Sequence, residues 1–583
     1  MNHHLLLDIE GLNIRFPSTA GPVNAVQNLS LQLHSGETLG IVGESGSGKS
    51  VTGLSIMGLL PEAEVTGTLN FHRKNAEKQS APDSSPALSE PTNLLRLTSK
   101  QMYPIRGAEI AMIFQEPMTS LNPVLRCGDQ VVEAIRLHQP LSYAAAKARA
   151  LALFDRVKLS DNKRIFRAFP HELSGGQKQR VMIAMAMSGQ PALLIADEPT
   201  TALDVTVQKA ILDLMREWRE EAGLSMLFIS HDLGVIAEIA DRVAVMQQGD
   251  IVETGPVDQI LRRPEHPYTK GLVACRPSLR HKLHRLPTIA DFFEKESFAA
   301  RVITAKETER RHTDLYAHTP LVKALNLSFR YPAKKNVLGF PTAWLNAVDQ
   351  LSFDIFPGEV FGLAGESGCG KTTLGRIIGH LLPPYSGELW YRGLPVSTMN
   401  AGNLQPLRRE IQLVFQDPYA SLNPRMTIGQ ALLEPLIAHR LYANDRQRKE
   451  KIAELLEIVG LEADHARRYP REFSGGQRQR ICLARSLSLQ PKLLICDEIV
   501  SALDVSVQAT VLNLLMDLQQ QFGLTSLFIS HDLSVIKQMC DRVLVMNQGR
   551  LEEIGYPDQL YEQPASAYVR NLIGAIPGQP DKR

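Results

Sequence analysis

The chain contains one long sequence block twice, and this duplication constrains its fold more than any other feature. The block LSGGQKQRVMIAMAMSGQPALLIADEPTTALDVTVQ (173–208) recurs as FSGGQRQRICLARSLSLQPKLLICDEIVSALDVSVQ (473–508), at an offset of 300 residues. The string MIFQEPMTSLNP (112–123) matches LVFQDPYASLNP (413–424) at an offset of 301. A chain of 583 residues is too long for one core, so the repeat predicts two copies of one domain.

The two copies differ in length, and the segment between them has its own composition. Lys49 and Lys371 are 322 residues apart, so the first copy carries about 21 extra residues before its FQEP string. The surplus lies at about 71–93, where Ser, Pro and charged residues predict a mobile surface insertion. Residues 276–318 are charged and partly helical in pattern, and we interpret them as a linker. The predicted domains are then 1–275 and 319–583.

Composition argues against several classes of protein. With 63 Lys and Arg against 62 Asp and Glu, the formal charge is +1. The chain therefore lacks the net positive charge that would indicate binding to nucleic acid. No stretch reaches the roughly 18 apolar residues of a membrane span. The start MNHHLLLDIE is typical of an opening strand, not of a signal peptide. The six cysteines are scattered without a CxxC pair, which argues against a zinc site or a disulfide framework.

Short apolar runs alternate with helical patterns in each copy. ETLGIVGESGSGKS and EVFGLAGESGCGKT are typical of a strand, a glycine turn and a helix start. PALLIADE and PKLLICDE are typical of buried strands that end in two acids, and SMLFISHD and TSLFISHD of strands that end in His-Asp. Such runs, joined by helices, predict parallel strands covered on both faces. The expected fold class is α/β, with two tandem P-loop NTPase domains.

Each copy contains the pattern G-x-x-x-x-G-K-[ST], which places backbone N–H groups around phosphate oxygens at a helix N-terminus. We expect Lys49 and Lys371 to contact the β- and γ-phosphates, and Ser50 and Thr372 to ligate Mg²⁺. The predicted cofactors are therefore ATP and Mg²⁺. The predicted nucleotide-binding residues of the two loops are Gly43, Ser45, Gly46, Gly48, Lys49, Ser50 and Val51, and Gly365, Ser367, Gly368, Gly370, Lys371, Thr372 and Thr373.

Two acids end the buried strand that precedes ALD in each copy. Asp197 and Asp497 are placed to hold Mg²⁺, and the adjacent Glu198 and Glu498 could polarise the attacking water. The alternative is that these acids are simply solvated at a strand end. It is disfavoured because each pair follows a buried run and precedes a second repeated block.

A second anion site is predicted at SGGQ, which opens a helix in each copy. One domain does not need two phosphate sites for one nucleotide. With this string, each copy resembles the nucleotide-binding domain of ABC transporters, a family in which two domains pair head-to-tail. The P-loop of one domain and the SGGQ of the other then close over each ATP. The SGGQ residues are Ser174, Gly175, Gly176 and Gln177, and Ser474, Gly475, Gly476 and Gln477.

The resemblance implies roles for further residues. Gln115 and Gln416 match the glutamine loop, which contacts Mg²⁺ and the attacking water, and His231 and His531 match the switch histidine that contacts the γ-phosphate. The implied catalytic residues are Glu198, His231, Gln115, Glu498, His531 and Gln416. The implied metal-binding residues are Ser50, Gln115, Asp197, Thr372, Gln416 and Asp497.

The resemblance also implies roles for residues outside the phosphate-binding loops. Phe16 and Tyr331 resemble the aromatic residue that stacks on adenine, with Phe329 as an alternative in the second copy. Asp204 and Asp504 match the D-loop that links the two sites. Where the first copy has HPYTKGL (266–272), the second has ASAYVRNL (565–572), which predicts a less regular C-terminal segment.

The resemblance also implies an assembly. Lys49 is expected to face Ser474, and Lys371 to face Ser174, so that the chain works as an intramolecular domain dimer with two ATP-hydrolysing sites. Helical subdomains at about 116–172 and 417–472 are expected to dock onto two integral-membrane permease subunits. A separate substrate-binding protein is an indirect partner, and no nucleic acid is expected. The chain is then peripheral, at the cytoplasmic face of the bacterial inner membrane.

Finer strings point to one group of importers. GESGSGKS, FQEPMTSLNP, FQDPYASLNP, SALDVSVQ and HPYTKGL resemble the ATPases of dipeptide, oligopeptide, nickel and glutathione importers, and RGAEIAMIFQEPMTSLNP is especially similar to the glutathione type. The favoured function is ATP hydrolysis coupled to peptide or glutathione import. A nickel or other metal importer is an alternative. A tandem ABC ATPase acting on ribosomes or DNA is disfavoured by the mixed charge of the linker and the absence of zinc-binding cysteines.

Overall fold

The fold is described from a computed structural model, and the chain divides into two compact units whose mid-chain boundary lies between Val273 and Ala274. Most of the insertion predicted at about 71–93 lies outside the described residues, which include only 71–73 and 91–93 of it. The described residues are 4–18, 21–73, 91–115, 120–201, 203–293, 300–335, 340–397, 399 and 401–577.

Two sheets form the first unit, and the opening strand predicted at the start of the chain is its first strand. The strands are β1 (Leu5–Phe16), β2 (Val23–His34), β3 (Thr38–Val42), β4 (Glu64–Phe71), β5 (Thr92–Asn93), β6 (Ile110–Ile113), β7 (Leu193–Asp197), β8 (Ser225–Ser230), β9 (Arg242–Gln247) and β10 (Asp250–Pro256). One sheet is antiparallel in the order β2-β1-β4-β5. The other has the order β10-β9-β3-β8-β7-β6 and is parallel except at its β10 edge.

The parallel sheet forms the buried centre of this unit, because its central strands are apolar on both faces. Every residue of β3, β7 and β8 is buried. Helices cover the sheet, as predicted from the continuous apolar runs. They are α1 (Lys49–Ile56), α2 (Ser99–Met102), α3 (Cys127–His138), α4 (Tyr143–Arg156), α5 (Asn162–Arg167), α6 (Gly175–Ala186), α7 (Val205–Ala222), α8 (Leu233–Ile239), α9 (Val257–Arg262) and α10 (Pro267–Ala274).

The second unit repeats this plan. Its strands are β11 (Val322–Lys335), β12 (Pro341–Ile355), β13 (Val360–Gly365), β14 (Ser386–Tyr391), β15 (Leu394–Pro395), β16 (Ile411–Val414), β17 (Leu493–Asp497), β18 (Thr525–Ile529), β19 (Arg542–Asn547) and β20 (Arg550–Gly555). The antiparallel sheet has the order β12-β11-β14-β15, and the mainly parallel sheet has the order β16-β17-β18-β13-β19-β20. The fold class predicted from the sequence is therefore confirmed in both units.

The helices of the second unit include one from the segment between the copies, α11 (Ala305–Tyr316). The others are α12 (Lys371–Ile378), α13 (Ala401–Glu410), α14 (Pro418–Ser421), α15 (Ile428–Ala438), α16 (Asp445–Ile458), α17 (Gly475–Leu487), α18 (Val505–Phe522), α19 (Leu533–Met539), α20 (Pro557–Glu562) and α21 (Ala567–Gly574). Within the residues that the structure describes, no helix is long and apolar enough to cross a membrane.

Each unit contains the predicted helical subdomain, built by α3 to α5 in the first and by α14 to α16 in the second. Polar caps fix where these helices begin, because they satisfy N–H groups that have no partner within the helix. The side chain of Ser142 accepts a hydrogen bond from Ala145 N at the start of α4, and Asn444 accepts one from Gln447 N at the start of α16.

The described parts of the segment predicted as a linker, residues 276–293 and 300–318, belong to the second unit. Leu286 is fully buried in the apolar core of that unit. Asn513 makes two hydrogen bonds of 2.8 Å with the backbone N–H and carbonyl of Leu286. Gln538 pairs with the backbone of Leu283 in the same way, at 3.0 and 2.7 Å. Two amide side chains of the second unit thus bind the backbone of this segment at two points.

The prediction of a less regular C-terminal segment is wrong. Helix α21 has eight residues, like α10 at the corresponding place in the first unit. Its start is fixed by Ser566, whose side chain accepts a hydrogen bond from Tyr568 N at 3.1 Å. A serine cap replaces the His-Pro start of the first copy, and this difference in residue type concealed the equivalent structure.

Candidate functional site

The two P-loops bend tightly against a neighbouring strand, and glycine is required at the last turn of each. Gly48 and Gly370 have φ angles of 102° and 110°. A Cβ at these positions would lie 2.6 Å from Ala25 O and 1.9 Å from Ala347 O. Only a residue without a side chain permits this approach, and the chain then enters helix α1 or α12 with its N–H groups exposed toward the loop.

The P-loop lysines lie inside the curve of their own loops. Lys49 Nζ donates hydrogen bonds of 2.7 Å to the carbonyl oxygens of Gly43 and Glu44. Lys371 Nζ makes the same bonds with Gly365 and Glu366, at 2.8 and 2.9 Å. Both lysines are buried. The predicted phosphate-binding cation is therefore held in place by backbone oxygens in both units.

The hydroxyl and carboxylate predicted to hold Mg²⁺ are brought together in each unit. Ser50 Oγ donates to Asp197 Oδ1 at 3.0 Å, and Thr372 Oγ1 donates to Asp497 Oδ1 at 3.1 Å. Burial raises the pKa of Asp197 to about 6 and also raises the pKa of Asp497. Hard oxygen donors of this kind, completed by phosphate oxygens and water, suit Mg²⁺.

The two predicted catalytic glutamates have an unusual backbone. Glu198 and Glu498 have φ angles of 47° and 49°, in the left-handed region that residues with a Cβ seldom adopt. Their N–H groups donate to Ile229 O at 2.9 Å and to Ile529 O at 3.0 Å, which ties the turn to the neighbouring strand. The chain therefore leaves strands β7 and β17 sharply and directs each carboxylate back toward the site, a strained geometry typical of functional residues.

In the first unit, three side chains converge on the carboxylate of Glu198. Gln115 Nε2 and Thr201 Oγ1 donate to its Oε2 at 3.0 and 2.8 Å, and His231 Nδ1 lies 3.2 Å from its Oε1. Burial opposes ionisation, but the hydrogen bond and charge of His231 and the bond from Thr201 outweigh it. The pKa of Glu198 is held at about 2. The carboxylate is ionised at neutral pH, as a group that orients water must be.

In the second unit the arrangement is similar but looser. Gln416 Nε2 donates to Glu498 Oε2 at 2.8 Å. His531 Nδ1 lies 3.5 Å from Oε2 of Glu498 without hydrogen-bond geometry, and Lys371 Nζ lies 3.8 Å from Oε1. Ser501 donates instead to the main-chain oxygen of Glu498. Burial opposes ionisation, yet the nearby positive groups lower the pKa of Glu498, and Glu498 raises the pKa of His531.

The predicted SGGQ sites are helix N-termini with reciprocal caps. Ser174 Oγ accepts from Gln177 N at 3.3 Å, and Gln177 Oε1 accepts from Ser174 N at 3.2 Å. The pair Ser474 and Gln477 repeats this with 3.3 and 3.0 Å. Both serines are exposed. Their participation in a composite ATP site stays a prediction.

Two tyrosines contact the P-loops, and neither was identified from the sequence. Tyr268 Oη accepts a hydrogen bond of 3.1 Å from Glu44 N, and Tyr568 Oη accepts one of 3.2 Å from Glu366 N. Both come from the C-terminal helices α10 and α21. The signal was available, because the two tyrosines are 300 residues apart, at the offset that relates the other repeated motifs. Thr201, beside Glu198, was also missed.

The remaining predicted residues lie close to these sites along the chain. Phe16 is the last residue of β1 and is half-buried. Tyr331 Oη is 3.5 Å from Thr373 Oγ1, and the ring of Phe329 is 4.9 Å from that of Tyr331 at a steep angle. Which aromatic residue stacks on adenine stays a prediction. The D-loop residues Asp204 and Asp504 directly precede helices α7 and α18.

Comparison with known proteins shows to which family the chain belongs. The ABC transporter family matches residues 26–201 and 348–501, more than half of the chain, and both matches contain the P-loop, the strand-end acids and SGGQ. The chain belongs to the ABC transporter family. Residues 252–295, which include Tyr268 and the start of the linker segment, match the C-terminal region of oligopeptide/dipeptide transporters.

Relatives of this ABC transporter chain extend over nearly its full length. Glutathione import ATP-binding protein GsiA of Salmonella typhimurium (strain LT2) is 47% identical over 98% of this chain and 89% of its own length. The protein of the same name from Pectobacterium atrosepticum is 44% identical over 99% and 90%. A solved dimeric structure of the ATP-binding cassette MJ0796 with ADP and Pi is 28% identical, covering 40% of this chain and 98% of its own, with a TM-score of 0.37.

The family assignment confirms three of the sequence predictions. The chain is an ATPase of the ABC transporter family with two nucleotide-binding domains, it binds ATP, and its fold is that of tandem P-loop NTPase domains. The roles of the individual residues within the two sites, and the binding of Mg²⁺, stay predictions.

Proposed function

We propose that this ABC ATPase powers the import of glutathione or short peptides through two separate integral-membrane permease subunits. The observation that carries the proposal is the 47% identity, over 98% of the chain, to glutathione import ATP-binding proteins. The match of residues 252–295 to the C-terminal region of oligopeptide/dipeptide transporters supports the same substrate class. On this proposal the chain lies at the cytoplasmic face of the inner membrane, and a separate binding protein selects the cargo.

In the proposed reaction each unit contributes a complete set of hydrolytic side chains. Lys49 and Lys371 bind the β- and γ-phosphates from within their loops, where backbone oxygens already orient the ammonium groups. Glu198 and Glu498 orient the attacking water, because both carboxylates are ionised and directed into the site by their left-handed backbone.

The residues around each glutamate prepare it for the arrival of the nucleotide. Gln115 donates a hydrogen bond to Glu198 at 3.0 Å, and Gln416 donates one to Glu498 at 2.8 Å. A movement of either glutamate on nucleotide binding would therefore be coupled to its glutamine. His231 and His531 lie beside the carboxylates of Glu198 and Glu498, respectively, and we assign both histidines to contact with the γ-phosphate. Mg²⁺, when bound, would be held by the Ser50–Asp197 and Thr372–Asp497 pairs and would neutralise charge on the β- and γ-phosphates.

The SGGQ helix N-termini complete the sites in this proposal. An exposed, serine-capped N-terminus offers N–H groups and a favourable dipole to an anion. We assign Ser474 to the site of Lys49 and Ser174 to that of Lys371, so that two ATP molecules close one intramolecular dimer. Phe16 and Tyr331 are assigned to adenine stacking.

Two experiments test the proposal. In the first, the tagged full chain is captured from detergent-solubilised membranes, and the proteins that co-purify are identified by mass spectrometry. Two polytopic permeases are expected. Ribosomal proteins or DNA-repair factors in their place would overturn the transport function while leaving the ATPase chemistry intact.

In the second experiment, the permease complex is reconstituted in vesicles with its neighbouring binding protein and ATP. Uptake of radiolabelled glutathione, a dipeptide and Ni²⁺ is then compared. Uptake of glutathione or the dipeptide is expected, and transport of Ni²⁺ alone would contradict the peptide assignment. The double variant Glu198→Gln, Glu498→Gln serves as the inactive control, and near-normal turnover in it would contradict the assigned mechanism.

A further inference from the structure

A cavity of about 260 Å³ lies between the linker segment, residues 276–318, and the body of the second unit. The strands β13, β17 and β18 and the helix α18 form one side of it, and residues 282–284, 303, 307, 308 and 311 of the linker segment line the other. Apolar side chains, among them Leu494, Phe528 and Ile303, form most of the walls. Charged side chains also line it, among them Lys282, Glu307, Arg311 and Asp541.

The cavity coincides with positions where the second copy has smaller residues than the first. At the offset of 300, Leu518 corresponds to Trp218, and Ser526 corresponds to Met226. Trp218 and Met226 are fully buried in the first unit. Leu518 and Ser526 both line the cavity. Since protein interiors are otherwise close-packed, the space is explained by the loss of an indole ring and a thioether side chain.

The same face of the second copy has also lost charge. Asn513, Gln519 and Gln538 stand where the first copy has Asp213, Arg219 and Glu238. Two of these amides, Asn513 and Gln538, hold the backbone of the linker segment. The second copy is therefore specialised in two ways at this face: its amides bind the linker segment, and its smaller residues leave a space beneath that segment.

The charges at the cavity favour an anion. The two acids of the lining are engaged, since Asp541 accepts from Arg311 at 2.6 and 2.9 Å and Glu307 accepts from Arg301 at 2.8 Å. Lys282 Nζ donates at 2.9 Å to the neutral carbonyl oxygen of Cys540, and its charge also acts on Asp541, whose two oxygens are already bonded to Arg311. An ammonium group has three donors, so it can bind an incoming carboxylate while it keeps this bond.

We propose that this cavity is a binding site for a small monocarboxylate with an apolar body. The carboxylate binds Lys282, and the body lies against Leu518, Ser526 and Phe528 in the space that Trp218 and Met226 fill in the first unit. A pocket that is mainly apolar and is lined by a small number of charged and polar side chains is the usual form of a small-molecule site. The ligand chemistry is shared by fatty acids and by apolar amino-acid derivatives, so the experiment includes one of each.

The test uses isothermal titration calorimetry on the full chain with sodium octanoate and with N-acetyl-leucine. Octylamine, which has the same chain length as octanoate and the opposite charge, is the ligand control. The cavity is filled by two independent variants, Ser526→Met and Leu518→Trp, each of which restores the residue of the first copy. Lys282→Met removes the charge, and Lys282→Arg retains it. Melting temperature and ATP hydrolysis of each variant verify that it is folded.

We expect at least one carboxylate to bind, and octylamine to bind at least about tenfold more weakly. Filling the cavity with Ser526→Met or Leu518→Trp should weaken carboxylate binding by about tenfold or more, because even one methylene in an apolar pocket changes affinity by about that factor. Lys282→Met should remove the preference for carboxylate, and Lys282→Arg should preserve it. The tighter of the two carboxylates indicates a lipid-derived or a peptide-derived source.

Three results would overturn the proposal. The first is that neither carboxylate binds the full chain. The second is undiminished binding in both filled variants, which would place the ligand elsewhere. The third is equal affinity for octylamine and octanoate, which would contradict the assigned charge. The three substituted positions lie on different elements, so misfolding of one variant leaves the others to decide.

Discussion

Oε1 of Glu198 lies 3.2 Å from Nδ1 of His231, while the other oxygen of the same carboxylate accepts hydrogen bonds from both Gln115 and Thr201. In the second unit the corresponding glutamate has a bond from Gln416 but, among the residues that the structure describes, no hydroxyl donor to its carboxylate, because Ser501 bonds to the main chain instead. The two sites contain the same residue types, yet their proposed catalytic bases differ in how strongly they are held.

The first prediction concerns unequal hydrolysis. A carboxylate with more donors is a weaker base, so Glu198 should drive hydrolysis more slowly than Glu498. We expect Glu498→Gln to remove a larger share of the steady-state ATPase rate than Glu198→Gln, with residual rates that differ by about two- to fivefold.

Thr201→Val provides the control for this difference, because it removes one donor and leaves Glu198 in place. In the Glu498→Gln background it should raise the residual rate. A lower rate, or equal residual rates in the two single glutamate variants, would contradict the ranking of the two bases.

The second prediction concerns pH and Mg²⁺. Burial raises the pKa of Asp197 to about 6 and also raises that of Asp497. An acid with a raised pKa takes up a proton as the pH falls through that value, and the protonated form cannot ligate a metal. The Mg²⁺ concentration for half-maximal hydrolysis should therefore rise about fourfold between pH 7.5 and pH 5.5, measured with correction for Mg²⁺ binding by ATP itself. A constant requirement would exclude these aspartates as the titrating ligands.

The third prediction concerns the P-loop tyrosines. Tyr268→Phe and Tyr568→Phe keep the ring but leave the N–H of Glu44 or Glu366 without its acceptor. The loss of one hydrogen bond should raise the KM for ATP by about two- to tenfold in the affected site, with little change in melting temperature. The two variants are compared with each other, because each alters only one of the two sites. An unchanged KM for ATP in both would show that the tyrosine hydrogen bond does not position the P-loop.

The nucleotide site could be predicted from the sequence because its chemistry depends on a few residues at fixed spacing. Lys49 in its loop and the Ser50–Asp197 pair lie where the motifs place them, although Ser50 and Asp197 are far apart in sequence. The left-handed backbone of Glu198 could not be predicted, because no residue type specifies it and it depends on a hydrogen bond to the neighbouring strand.

The linker segment shows a different limit of sequence interpretation. Its charged composition is typical of a solvated connection, yet single apolar residues such as Leu286 anchor it in the second unit. The evidence for this contact lies in the partner surface, where Asn513 and Gln538 replace acids of the first copy. The effect of these replacements can be recognised only from the structure, which shows that Asn513 and Gln538 bond to the backbone of the linker segment.

The last prediction tests whether the linker segment stabilises the second unit. Asp541 is almost fully buried and is held by Arg311 of α11, in the linker segment. Its counterpart Asp241 is half-exposed and is held by Arg219 of α7. Arg311→Met leaves a buried carboxylate without its cation and should lower the free energy of unfolding of the second unit by about 3 kcal/mol. The matched change Arg219→Met, at an exposed pair, should cost the first unit about 1 kcal/mol or less.

The loss in Arg311→Met should also depend on pH in a defined direction. Burial works against ionisation, but Arg311 and Lys282 lower the pKa of Asp541 below its ordinary value. A depressed carboxyl pKa stabilises the fold above the unfolded-state pKa of about 4, and this contribution disappears as the pH falls through the folded-state value. The difference in urea midpoint between the wild type and Arg311→Met should therefore be at its full size from neutral pH down to about pH 4, and should narrow as the pH falls below 4 toward the folded-state pKa. A difference that is constant with pH would mean that Arg311 acts through packing alone and not through its charge on Asp541.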